Sequence, residues 1–237
     1  MSCLVTGMGW VTAAGLGSGR GPNSFSWGEG ELPPITRKHV FPDAHPHFGR
    51  LDRYSKLGIA AIALTLRDAG IERTDRISPV GLIASTVFGC LETDINYLQT
   101  VRGNGAAGAS PHLFAYTLSN TFLGEAAIEF ELTGATFLLN ETLLSGGAAL
   151  RIAAETISSG ECETVLAGMC DLGAPPLLQP RRSRSGALFF VLSQTADGSR
   201  PYGRLEYNGR EILFEGEPVA DMIALAERLT DRRLVNS

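Results

Sequence analysis

The sequence predicts an α/β fold in which helices cover a largely buried sheet. Three observations carry that expectation. Short apolar, β-compatible runs at residues 3–7, 80–85, 136–139, 164–168 and 187–193 read as strands buried on both faces. Helix-forming stretches fall between several of them, as an alternation of strands and helices requires. Of the 237 residues, 44% are hydrophobic and 19% charged, which suits a globular chain able to bury a sizeable core.

In chain order, the run Cys3-Leu4-Val5-Thr6-Gly7 is the first strand and meets G-M-G-W-V-T-A-A-G-L-G. A dinucleotide fingerprint would place its third glycine where Thr12 stands and would continue into a helix that holds the pyrophosphate; neither condition is met. Residues 18–50 read as a long excursion rich in Gly, Pro and aromatics. His45 and His47 lie in it as H-P-H, with no Cys or carboxylate at ligand spacing, so a surface loop is expected and no metal site. A helix is predicted over 51–69, closed by Gly70 at its C-cap. It is apolar nearly all round from Leu57 to Leu66, so it should be buried on more than one side. The strand at 80–85 turns through Phe88-Gly89-Cys90 into a helix over 91–102. A flexible Gly/Ala loop follows at 104–109, and Ser110-Pro111 opens an element over 113–123 that ends at Gly124.

The chain is organised around residues 133–154, T-G-A-T-F-L-L-N-E-T-L-L-S-G-G-A-A-L-R-I-A-A. This reads as a buried strand, a sharp turn at Ser145-Gly146-Gly147, and a helix opening on small residues. In α/β enzymes such a turn exposes a nucleophile beside a helix N-terminus that stabilises an anion. Here the tip is Leu143-Leu144. Beyond it come the strands at 164–168 and 187–193, the turn Asp197-Gly198, and an amphipathic helix over 219–229 with apolar residues at 219, 222, 223, 226 and 229.

The net charge of −5 argues against a nucleic-acid partner. Cys3, Cys90, Cys162 and Cys170 form no CxxC pair and lie in apolar surroundings, so buried thiols in a reducing compartment are expected. With no basic-then-apolar leader and no apolar run of membrane length, a cytoplasmic chain without a membrane span is expected. No cofactor is expected.

Several segments carry a resemblance. V-T-G-M-G near the start, L-D-R-Y-S-K-L-G-I-A-A at 51–61, F-G-C-L-E-T at 88–93, S-P-H-L-F-A-Y-T-L-S-N at 110–120 and G-E-A-A-I-E-F-E-L-T-G at 124–134 are each weak alone. In this order and spacing, from residue 4 to about 193, the chain resembles the N-terminal half of a β-ketoacyl-acyl-carrier-protein synthase. The resemblance implies a thiolase-like layered α/β fold, here the N-terminal half only. Residues 1–237 would form a single truncated ketosynthase-like domain, with 211–237 as a C-terminal covering segment and the helix at 219–229 folding onto the helix that starts at Ser145.

The resemblance also sets expectations for function. It puts Leu143 where the family's active-site cysteine belongs, and a leucine cannot form a thioester. The family's catalytic histidines and lysine lie in its C-terminal half; the histidines here, at 39, 45, 47 and 112, match none of them. A site blank in this way resembles the chain-length factors of type II polyketide synthases, in the branch of highly reducing and aryl-polyene systems. That implies a heterodimer with an active ketosynthase whose acyl tunnel this chain limits, and an acyl carrier protein reached indirectly. By position, Leu91, Asp94 and Leu98 would be gating residues, spaced along one helical face; ordinary helix packing is the alternative for the two leucines. The strand from Ala135 to Asn140, with Phe137, Leu138, Leu139 and Asn140, would pair across the dimer interface. Phe114, Tyr116 and Phe122 would be interface or tunnel-wall residues, or core. Arg181, Arg182 and Arg184 would be a carrier-protein patch or a solvated loop. Two other classes stay open: an acyltransferase with Cys90 or Cys170 as a relocated nucleophile, and a homodimeric scaffold. Glu141, beside the blank position, raises the possibility of assisted decarboxylation.

Overall fold

A computed structural model describes residues 1–41, 45, 47–71, 79–178, 183–196 and 200–235. In chain order it contains β1 (Ser2–Thr12), β2 (Gly15–Ser18), α1 (Arg37–Val40), α2 (Arg53–Ala69), β3 (Val80–Thr86), α3 (Leu91–Asn104), α4 (Pro111–Phe114), α5 (Thr121–Phe130), β4 (Thr136–Asn140), α6 (Gly147–Ser158), β5 (Thr164–Asp171), β6 (Gly186–Ser193), β7 (Gly203–Tyr207), β8 (Ile212–Phe214), β9 (Glu217–Pro218) and α7 (Met222–Val235).

The strands form one mixed sheet in the order β4-β3-β5-β6-β1-β7-β8-β9, with β2 folded back on β1. β3 pairs parallel with both β4 and β5, and from β5 onward the pairing is antiparallel. Period-two alternation sorts each central strand between two cores. Leu82, Ala84, Leu166 and Phe189 face the layer of α2 and α5. Ile83, Val165, Ala167 and Phe190 face the layer of α6 and α7.

The glycines that look like a nucleotide fingerprint have a packing role. The run continues as strand to Thr12, and α2 crosses directly over it. A Cβ at Gly9 would lie 2.4 Å from the Thr65 backbone nitrogen, and one at Gly7 2.7 Å from the Ala69 Cβ. Only glycine lets helix and sheet approach this closely.

Several predicted boundaries shift. α2 starts at Arg53 because Asp52 is its N-cap, its carboxylate accepting from the Ser55 N–H at 2.8 Å; Gly70 closes it in the left-handed region as expected. The element predicted at 113–123 is two helices, and α5 runs through Gly124 to Phe130 because its inner face packs on α2. The strands β7 to β9 were not anticipated. The Asp197-Gly198 turn lies outside the described residues. The apolar face of α7, with Met222, Leu225, Ala226 and Leu229 buried, shares one core with Ala149, Leu150, Ala153 and Ile157 of α6.

Candidate functional site: the turn between β4 and α6

The chain leaves β4 at Asn140 and enters α6 at Gly147 through a turn that requires positive φ at Gly146 (+70°). The N-terminus of α6 leaves backbone N–H groups without intrahelical acceptors. Glu141 supplies them. Its Oε2 accepts from the N–H groups of Ser145 and Gly146 and from the Ser145 hydroxyl, each at 3.0 Å. Its Oε1 accepts from Ala148 N–H at 3.0 Å and from the Ser85 hydroxyl at 3.1 Å. Burial alone would raise the pKa of this carboxyl, but the backbone donors of Ser145, Ala148 and Gly146 and the Ser145 hydroxyl outweigh it and hold Glu141 below the usual carboxylate range. The anion-stabilising end of the helix is thus filled by the chain's own carboxylate.

Leu144 turns inward and is buried, while Leu143 is 66% exposed. A cleft of about 80 Å³ lies beside them, lined by Val87, Phe88, Thr142, Ser183 and Arg184. Arg184 reaches the Leu144 carbonyl at 3.5 Å and the Asp221 carboxylate at 3.3 Å. Arg181 and Arg182 lie outside the described residues. From the opposite side, Met222 N–H donates to the Ser145 carbonyl at 2.9 Å. The wall of this region is held by Asp171, which is fully buried. One of its oxygens accepts from Thr86 Oγ1 (2.9 Å) and from the N–H groups of Val87 and Phe88 (2.7 Å each); the other accepts from Gly173 N–H at 2.7 Å.

Neither alternative thiol is set up as a nucleophile. Cys90 is buried, its Sγ 3.6 Å from one Asp94 carboxylate oxygen and 3.3 Å from the Ser119 hydroxyl. Burial foremost, and the Asp94 charge as well, raise its pKa above the ordinary thiol value. Cys170 has no exposed surface, and burial followed by the Asp171 charge pushes its pKa far up. Both thiols are held protonated, which is the unreactive form.

The residues expected to gate a tunnel all lie on α3, and they do not line one shared groove. Leu98, 46% exposed, lines an open groove of about 490 Å³ with Ile95, Gln99, Arg102, Pro176 and Leu177. Leu91 and Asp94 do not line it, and Asp94 is turned toward Cys90. Of the aromatics expected at an interface, Phe114 is exposed with its ring 5.5 Å from that of Tyr97, and Tyr116 is nearly buried. Phe122 has no exposed surface: its ring meets Tyr54 edge-on at 5.1 Å and fills the space over Gly58, so it is a residue of this chain's own core. β4 lies at the end of the sheet, paired on one side with β3. Phe137 and Asn140 are exposed on it, and Leu138 and Leu139 are half-buried against the two cores. His45 accepts from Phe48 N–H, stacks on Phe41 and lies 2.6 Å from a Glu129 oxygen. Among the described residues there is no group of three or more His, Cys, Asp or Glu placed to hold a metal ion, and no helix long and apolar enough to cross a membrane.

The roles of Glu141, Asp171 and Asp221 escaped sequence reasoning. The available signal was position, an acidic residue just before a Gly-Gly helix start and another at the end of a buried strand.

Comparison with known proteins places this architecture. Residues 36–194 match the family model of the β-ketoacyl synthase N-terminal domain. No curated protein matches the chain. Among solved structures, the ishigamide ketosynthase/chain length factor superposes with a TM-score of 0.66 at 15% identity, covering 86% of this chain and 66% of that one. The ketosynthase complex AntDE:AntF, a type II polyketide-synthase assembly with its acyl-carrier protein, gives 0.66 at 18% identity, covering 86% and 67%. The ketosynthase ApeO in complex with its chain length factor ApeC, from Xenorhabdus doucetiae, gives 0.57 at 15% identity, covering 83% and 81%. The chain therefore spans just under two thirds of the length of the first of these, and at these identities the likeness is one of fold. The sheet order, the layering about it and the extent of the family match establish that this chain belongs to the β-ketoacyl synthase family, through its N-terminal domain, and has the thiolase-like ketosynthase fold.

Proposed function

We propose that this chain is a non-catalytic chain-length-factor subunit, which pairs with an active ketosynthase and shapes that partner's acyl tunnel in polyketide biosynthesis. The observation that carries the reading is the turn between β4 and α6. Leu143 stands where the resemblance puts the nucleophile, and the helix end that would stabilise an acyl oxyanion is filled by the Glu141 carboxylate. With Cys90 and Cys170 buried and protonated, acyl transfer has no nucleophile in this region. Glu141 is engaged as a helix cap, which removes it as an agent of decarboxylation.

Two further features support a pairing role. Among the described residues β4 pairs with β3 alone, leaving its other edge as the end of the sheet with Phe137 exposed, and such an edge favours a partner strand. The Leu98 groove offers an apolar wall whose width a side chain could tune. The polyene branch, and an acyl carrier protein docking mainly on the partner, belong to the same proposal on the resemblance alone. Within it, residues 211–237, with β8, β9 and α7, are the covering segment for the face of α6.

Co-expression of this chain, alone tagged, with a ketosynthase from its own gene cluster tests the proposal. A one-to-one complex is expected, with condensing activity that neither chain shows alone and a shorter product from Leu98→Phe. A soluble dimer of this chain that retains no ketosynthase would replace the heterodimer with a homodimeric scaffold, which could use the same β4 edge.

A further inference from the structure

Glu141 and α7 act on the same few residues from opposite sides. The carboxylate gathers Ser145, Gly146 and Ala148 from below and ties the turn to Ser85 on β3. The Glu141 N–H itself donates to the Thr86 carbonyl at 2.8 Å. From above, Met222 N–H holds the Ser145 carbonyl, and the Met222 side chain covers Gly146 so closely that a Cβ there would meet its sulfur at 2.3 Å. Arg184, bonded to both the Leu144 carbonyl and Asp221, closes the third side. A loop tip held by this many partners would be expected to bury its apolar residues. Leu144 is buried, yet Leu143 is two-thirds exposed, three residues beyond the end of β4.

We propose that Glu141 is a positioning residue whose carboxylate, opposed by the first turn of α7, latches the 141–146 turn so that Leu143 is a preformed apolar contact for a ketosynthase-fold partner. The contact half of this proposal rests on the heterodimer reading above; the latch half does not. Leu143 follows the end of β4 by three residues and lines the cleft with Val87, Phe88 and Arg184: strand pairing at the β4 edge would supply backbone hydrogen bonds, and a rigid leucine at the end of that strand a low-entropy anchor. The helix N-terminus binds no outside ligand here, since the chain fills it.

Glu141→Gln is the informative change. It keeps the size of the side chain but turns an NH₂ toward donors, so a space-filling role predicts little effect and a latch predicts loss. Hydrogen exchange on the purified chain should show the 145–148 amides exchanging about tenfold faster or more in Glu141→Gln and Glu141→Ala, with β5 and β6 unchanged. Excess formate should slow that exchange in Glu141→Ala and leave the wild type unaffected. If Glu141→Ala does not fold, Ser145→Ala removes the hydroxyl that donates to Glu141 and also accepts from Gly147 N–H at 3.2 Å, and should show a smaller acceleration at the 145, 146 and 148 amides, which Glu141 itself holds. Unchanged exchange in Glu141→Gln overturns the latch. For the contact, Leu143→Glu and Glu141→Gln should each weaken capture of the co-expressed ketosynthase about tenfold or more. Undiminished capture by both overturns the contact, with the latch standing. If the wild-type chain captures no ketosynthase, the heterodimer reading fails, and the contact falls with it while the exchange result still decides the latch.

Discussion

The docking of α7 on the turn can be measured as a coupling between Gly146 and Met222. Met222 has no exposed surface and belongs to the core shared by α6 and α7. Truncating such a methionine to alanine costs about 2–5 kcal/mol. Gly146→Ala has two separable costs. The left-handed backbone at φ +70° disfavours alanine by about 1 kcal/mol wherever α7 lies. The new Cβ would also sit 2.3 Å from the Met222 sulfur and 2.6 Å from its Cγ, and moving the side chain aside costs about 1–3 kcal/mol more. In the Met222→Ala background most of that second cost is removed, since only the Cβ of residue 222, 3.2 Å away, remains beside the backbone strain. A double-mutant cycle should therefore return a coupling of about 1–2 kcal/mol, with the double variant more stable than the sum of the single changes predicts. Urea titration followed by the fluorescence of the two tryptophans supplies all four free energies. A coupling below about 0.5 kcal/mol would refute the reasoning, because independent sites add to within that margin.

Other consequences can be checked on the same material. Asp171→Asn would leave a buried N–H or hydroxyl donor facing an NH₂, and is expected to cost about 2–3 kcal/mol by urea titration while sparing the secondary structure seen by circular dichroism. The Glu141 pKa is lower folded than unfolded, so its contribution to stability is complete above the unfolded value of roughly 4.3 and is lost as pH falls through the folded one. The groups facing it are Ser85, Ser145 and backbone N–H, none of which titrates in that range, so the stability gap between wild type and Glu141→Gln should narrow as the medium is acidified. Phe137→Asp, at a half-exposed edge position, should change stability by less than about 1 kcal/mol yet abolish ketosynthase co-purification; retention of the complex would remove β4 from the interface.

The layered fold was legible in the sequence because it rests on local signals. Runs such as 165–167 and 187–192 are apolar at every position, which is how strands covered on both faces read. Gly70 closes α2 with a recognisable cap, whereas the N-cap role of Asp52 was not read and the helix starts two residues later than expected. What could not be read depends on contacts between distant residues. Gly124 looks like a helix terminator, but α5 continues across it since the neighbouring Leu123 and Ala126 pack inward against α2. Phe122 and Phe137 are both aromatics in apolar segments, and only the assembled sheet sends one to the core and leaves the other on an edge. The short strands β7 to β9 are interleaved with Gly, Pro and charged residues and carry too few residues for a period to emerge. Glu141 could be noticed, but its use depends on Ser85 across the sheet and on the angle at which α6 leaves the turn.

The position of β1 in the sheet has a consequence for biosynthesis. Beyond its local hairpin with β2, which pairs Gly9 to Thr12, its partners are β6 and β7, so Leu4 waits for Ser193 and Cys3 for Leu205, and the Met1 amino group ends 3.0 Å from the Tyr207 carbonyl. At ~5–20 residues per second, that delay is roughly ten to forty seconds during which the stretch from Leu4 to Met8 has been made without β6 and β7. Strand closure over such sequence separations is also intrinsically slow. The nascent chain must therefore carry the 4–8 stretch unpaired until residues 186–207 have been made, which makes early chaperone engagement, and sensitivity of yield to translation speed, built-in properties of this topology.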